Sequence, residues 1–168
     1  MFLVKLKTVY DIIFIIILAV LYNLSFSPFD FKFTIYISLI GYFFIIYNKE
    51  KNLAMKYSFI YGFFIYLIGV SWIFNSLYDY GGKNYILSSL MTFIFISLLA
   101  SFFILIGYIF NKDIKKYQKI ILPAYFASLW TIIEILRSNI LGGFPWLLVG
   151  TSQVNFIYNN IFSLFGTY

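Results

Sequence analysis

The stretch Leu129–Ser152, LWTIIEILRSNILGGFPWLLVGTS, decides how the chain is read. It starts as an apolar helix carrying a carboxylate, Glu134, and a guanidinium, Arg137, and it breaks at Gly142-Gly143 before the turn Phe144-Pro145-Trp146. Residues three apart share a helix face, so the two charges are placed to pair within one turn. Ionisable groups in an apolar segment are costly and face a protein interior or a wet cavity rather than lipid. The glycines free the backbone to leave the helix, and Pro145 biases Phe144 toward an extended conformation. The structural reading is an ion pair that docks one helix on another, followed by an interfacial tryptophan anchor. The functional reading gives the aromatic turn contact with a substrate.

Hydrophobic residues make up 62% of the chain and charged residues 11%, with a mean hydropathy of +0.91. A soluble domain of this length does not combine so much apolar mass with so little charge, so the composition predicts an all-α integral membrane protein. The 22 Phe and 16 Tyr are spread too evenly to mark a binding site. A net charge of +6 would suit nucleic acid, but the basic residues sit in short loops where they signal topology instead. No nucleic-acid partner is expected. Cysteine is absent, so disulfides, thiolate metal sites and a thiol nucleophile are excluded within these residues. Histidine is absent too, which removes the commonest metal ligand and the usual base at neutral pH. Neither a metal nor a cofactor is expected.

Five transmembrane helices and the start of a sixth can be read along the chain, at about 9–26, 33–47, 57–77, 85–110 and 120–141, with a partial segment from about 155. A basic start before the first segment also fits a signal peptide, but Asp11 opens the apolar run and Pro28 follows the only small-x-small pattern, Ser25-Phe26-Ser27. A retained helix is the expectation. Segment two barely crosses a ~30 Å hydrocarbon layer at 1.5 Å per residue. In segment three, Ser58, Gly62, Gly69 and Ser76 recur at spacings of four and seven and place small residues on one face, where another helix can pack closely. Pro123 falls in the first turn of segment five, where proline is tolerated. The sequence ends inside an apolar stretch at Tyr168, so a truncated fragment of a longer protein is expected.

Of the twelve basic residues, nine fall before segment one or in the second and fourth loops, against Lys32, Lys83 and Arg137 on the other side. That asymmetry predicts a cytoplasmic N-terminus. The turn Ser27-Pro28-Phe29-Asp30, the loop Tyr78-Asp79-Tyr80-Gly81-Gly82 and the turn Gly142-Gly143-Phe144-Pro145-Trp146 then share the extracytoplasmic side. A common site there is the expectation.

The pattern W-T-x-x-E-x-x-R followed by G-G-F-P-W-L-x-x-G-x-S-Q, Trp130 through Gln153, resembles the bacterial apolipoprotein N-acyltransferase family. Ser27-Pro28-Phe29-Asp30 and the run Trp72 to Gly82 echo it upstream, in the right order and spacing. The resemblance covers essentially the whole chain but only the membrane half of that family. It implies an enzyme of the bacterial inner membrane that moves an acyl chain from a phospholipid to the amino-terminal cysteine of a diacylglyceryl-modified lipoprotein. It also implies that the Glu–Lys–Cys catalytic set belongs to a nitrilase-like domain not present here. No catalytic residue is therefore expected in this chain, which should be inactive alone.

What remains is a lipid-facing platform. On this reading Trp146, Phe144 and Pro145, with Gly143 and Trp72, line the access for acyl chains, and Gly81-Gly82 let the catalytic domain approach. For Trp146 the alternative is interfacial anchoring, and for Asp79 it is capping of its own loop against binding a head group. Glu134 and Arg137 are expected to form a structural ion pair. Two other classes remain open: a small transporter or channel subunit with a polar path along Glu134, Arg137 and Asn75, and a non-catalytic membrane scaffold. Against the transporter, the segments show no internal repeat.

Overall fold

A computed structural model describes residues 2–47, 49–113, 117–154 and 166. Its helices are α1 (Phe2–Leu24), α2 (Thr34–Tyr47), α3 (Lys51–Gly69), α4 (Ile73–Tyr80), α5 (Tyr85–Asp113), α6 (Leu122–Asn139) and α7 (Val149–Ser152), with a 3₁₀ turn at Ile140–Gly142. No strand occurs among the described residues, so the all-α expectation holds. The partial segment from about 155 lies outside the described residues, apart from Gly166. By length and apolar composition alone, one helix, Tyr85–Lys112, is sufficient to cross a bilayer. The bent pair Lys51–Gly69 and Ile73–Tyr80 passes the same test as a unit, while Thr8–Leu24 and Thr34–Tyr47 are apolar but shorter.

Segment three departs from the continuous helix expected over 57–77. It begins at Lys51 and bends by 59° after Gly69. The carbonyls of the last turn of α3 are taken up from outside the helix: Asn23 Nδ2 donates to Ile65 O at 3.1 Å and Trp146 Nε1 to Gly69 O at 3.3 Å. Side-chain donors from elsewhere in the chain thus reach the last turn of α3, where a helix end leaves carbonyls to be satisfied.

That break divides the small-residue face. Ser58 and Gly62 meet α5 as expected: a Cβ on Gly62 would fall 2.8 Å from the Phe103 ring, and one on Gly107 would fall 2.4 Å from Ser58 Oγ. Gly69 instead faces Asn23 and Leu147, and Ser76 lies beyond the bend in α4, which buries no residue. The four-residue stripe is two separate contacts.

The core is aromatic. Tyr22, Tyr42, Tyr57, Tyr61 and Tyr66 are fully buried, and Tyr42 stacks on Tyr61 with ring centroids 4.3 Å apart. Trp130 sits among them, within 6.3 Å of the rings of Tyr22, Tyr42, Tyr61, Phe103 and Phe126. A buried phenol needs a partner for its hydroxyl. Tyr42 donates to Ser58 Oγ at 2.6 Å, Tyr61 shares a 2.6 Å bond with Ser38, and Ser38 donates to Leu18 O at 2.6 Å. These bonds join α1, α2 and α3. The evenly spread aromatics that carried no signal in the sequence are the packing material of the bundle.

At the end of the bundle that holds the second loop, Lys49 and Tyr57 both reach Asp11, and Asn111 Nδ2 donates to Lys49 O. The acidic residue that opens the first apolar run is thereby neutralised.

Candidate functional site

The glycine pair after α6 does what its residue type allows. Gly142 and Gly143 adopt φ of 86° and 71°, and a Cβ on Gly143 would fall 2.1 Å from Ser138 O. The chain turns back over the end of the bundle and is tied down at five points. Arg137 Nη1 donates to Phe144 O. Tyr22 donates its hydroxyl to Leu147 O at 2.8 Å, and Glu134 Oε1 accepts the Val149 N–H at 2.9 Å. The Trp146 indole reaches Gly69 O, and Gln153 bridges Tyr36 Oη at 2.9 Å and Lys32 O at 3.2 Å.

Glu134 and Arg137 do share a buried face, at 6% and 3% exposure. They do not form the expected ion pair. The ion pairs among the described residues are Lys32–Asp30 and Lys49–Asp11. The reason is local: the backbone freed after α6 offers a carbonyl and an N–H within reach, and each charged group takes one. A charge-assisted bond to backbone is about twice as strong as a neutral one, so both charges hold the turn rather than each other.

Two of the three motifs close on one cavity of about 720 Å³. Ser27, Pro28, Phe29 and Asp30 form one wall, Trp72 and Gly69 a second, and Pro145, Trp146 and Leu147 a third. Trp72 and Trp146 pack with ring centroids 5.5 Å apart, and both remain about half exposed, at 45% and 47%. Asp30, at φ 56°, holds Lys32 Nζ at 2.6 Å. The cavity thus has an apolar, indole-lined side and an ionic side, the arrangement that suits an amphipathic ligand.

Phe144 and Gly143 do not line this cavity. Phe144 is directed to α5, where its ring meets Phe95 edge-on at 5.2 Å and Trp146 at 6.2 Å. Asp79, Gly81 and Gly82 also lie apart from it, at the exposed end of α4. There Lys83 N–H bonds Tyr78 O at 2.9 Å across Gly82, whose φ is 89°, and a Cβ on Gly81 would strike Leu77 O at 2.2 Å. Both glycines are required by their own turn, a Schellman-like helix end.

Sequence reasoning did not single out Tyr22, Asn23, Lys32 or Leu147. Asn23, an amide at the end of an apolar helix, was the readable signal. Leu147 had none, because its part is played by a backbone carbonyl and a φ of 55°.

Residues 18–168 match the family described as the apolipoprotein N-acyltransferase N-terminal domain. The chain is 32% identical over 143 residues to an apolipoprotein N-acyltransferase of Pasteurella multocida, covering 85% of this chain and 26% of that protein. It is 32% identical over 142 residues to that of Haemophilus influenzae, covering 84% and 26%. With that of Methylococcus capsulatus it shares 31% over 150 residues, covering 89% and 30%. It therefore spans less than a third of the length of these relatives. The tethered Gly-Gly-Phe-Pro-Trp turn and the matched sequence agree: this chain belongs to the apolipoprotein N-acyltransferase family, by its N-terminal domain.

Proposed function

We propose that these residues are the membrane portion of an N-acyltransferase that moves an acyl chain from a phospholipid to the amino-terminal amine of a diacylglyceryl-modified apolipoprotein. Five transmembrane segments and the start of a sixth sit in the bacterial inner membrane, with the N-terminus cytoplasmic. An outward belt of exposed apolar side chains supports the placement, including Ile13, Phe14 and Ile17 on α1, Ile37, Ile40 and Phe44 on α2, and Phe93 and Ile94 on α5. Contiguous exposed apolar surface of this kind suits lipid.

The cavity between the Ser-Pro-Phe-Asp turn, Trp72 and Trp146 is the observation that carries the reading. It places a wide apolar recess beside an ion pair, where a lipid can present its chain to the indoles and its polar part to Asp30 and Lys32. This chain has no cysteine, so a thioester-forming nucleophile has to come from beyond these residues. The role left to the chain is to hold the donor in place, and positioning is a large share of catalysis by proximity.

The test uses the complete gene product in membranes, with acylation of a diacylglyceryl-modified lipopeptide read by mass spectrometry. Trp146→Phe shortens the wall of the recess and removes the bond to Gly69 O. It should insert normally and lower acylation about tenfold, equivalent to ~1.4 kcal/mol in the barrier. Wild-type activity of Trp146→Phe would leave the tryptophan as an interfacial anchor and remove the cavity from the mechanism.

A further inference from the structure

On the opposite end of the bundle, the outer seam of α3 and α5 opens into a second groove, of about 540 Å³. Met55, Phe59, Ile60 and Ile104 form its apolar length, and Asn52 and Lys56 lie at its polar end. Lys56 is exposed and has no ion-pair partner among the described residues. Two further lysines flank this end. Lys51 Nζ sits 4.1 Å from the centroid of the Tyr108 ring, and Lys112 follows one turn later on α5.

The dimensions match half a bilayer. From Lys51 to Ile60 the helix rises about 13 Å at ~1.5 Å per residue, close to one leaflet of a ~30 Å hydrocarbon layer. A ligand that fits must be anionic at the lysine end and a long apolar chain below it. We propose that this groove binds an anionic phospholipid of the leaflet on the Lys51 side, with its phosphate against Lys56 and an acyl chain along Phe59, Ile60 and Ile104. The proposal rests on the membrane placement given above, but it concerns the face opposite the Trp146 cavity and takes no part in acyl transfer. The carrying argument is charge complementarity. A lysine at the end of an apolar groove favours an anionic head group, and the neighbouring lysines add to the local potential. Asn52 supplies a neutral donor for the glycerol or ester oxygens.

Native mass spectrometry of the purified chain in detergent separates the outcomes. Phosphatidylglycerol and phosphatidylcholine with identical acyl chains are offered in competition. Phosphatidylglycerol should be retained in preference, and Lys56→Gln should reduce that preference about fivefold, the scale expected for one lysine beside an anionic lipid. Lys83→Gln, at the far end of the bundle, should leave it unchanged. Ile104→Ala should lower retention of both lipids alike. Equal retention of the two lipids, undiminished preference in Lys56→Gln, or a lipid-free dimer that buries the groove would each overturn the proposal. Because the readout is lipid retention, loss of acyl transfer elsewhere cannot imitate any of these results.

Discussion

Trp146 donates its indole N–H to the carbonyl of Gly69, 3.3 Å away, across 77 residues of chain. The contact requires the loop to lie directly on the end of α3, and Gly69 makes room for it. A Cβ at that position would fall 2.5 Å from both Asn23 Oδ1 and Leu147 Cδ1. Gly69→Ala should therefore destabilise the bundle by ~1–3 kcal/mol through overpacking, seen as a lower melting temperature in detergent. Gly82→Ala has open space around its Cβ and is strained only by its φ of 89°, so its cost should be confined to the α4 turn.

The two buried charges of α6 hold backbone, and their variants should differ accordingly. Arg137→Met leaves Phe144 O without its donor, at a cost of ~1–3 kcal/mol. Glu134→Gln keeps an oxygen for the Val149 N–H and should cost less. Hydrogen exchange gives the local readout: Arg137→Met should speed exchange in residues 143–149 and leave the first turns of α6 protected. Uniform loss of protection along α6 would instead mean that the pair holds the helix.

Trp130 and Trp146 should part in their effects. Trp130 is 5% exposed amid five rings, so Trp130→Phe leaves a partial void costing ~1–2 kcal/mol. Acylation per folded molecule should stay close to wild type. A collapse of activity without a change in melting would bring the aromatic core into the site.

The proposed orientation rests on nine basic residues against three, and the cysteine-free chain makes it easy to probe. Single cysteines at Asn84 and at Asn52, both exposed, should label on opposite sides. Asn84→Cys should react with an impermeant thiol reagent in spheroplasts, and Asn52→Cys only after lysis. The reverse pattern would invert the bundle and move the Trp146 cavity to the cytoplasmic side.

Much of the architecture was legible because long apolar runs between charged turns read as helices. The turn after Gly142 was legible for a related reason, since two glycines and a proline fix the backbone locally. Hydropathy could not show the bend after Gly69. The side chains that meet the end of α3, Asn23 and Trp146, are distant in sequence, and the apolar run continues through the bend. The Glu134–Arg137 spacing was informative about burial and misleading about partners. Helical geometry shows which side chains are near each other, but not which backbone groups will come to meet them. Phe144 and Pro145, adjacent in the motif, face different neighbours because the turn between them has no repeating period.

The tethers of the Trp146 turn also set an order of assembly. Tyr22, Asn23 and Tyr36 belong to the first two helices, while the groups they grip directly or through Gln153 come from Ile65 and from Leu147 onward. When only α1 and α2 have been made, the wall of Ser27, Pro28, Phe29 and Asp30 stands without the other two. The walls of the recess come from the turn after α1, from the end of α3 and Trp72, and from Pro145, Trp146 and Leu147, so it closes only after α6 has been made and the chain has turned back. During biogenesis the Tyr22 hydroxyl must wait for Leu147 O, 125 residues further on, whereas the Asn23 amide already has Ala19 O in its own helix and meets Ile65 O after 42 residues. A recess that is finished late is open to a ligand only once the bundle is complete.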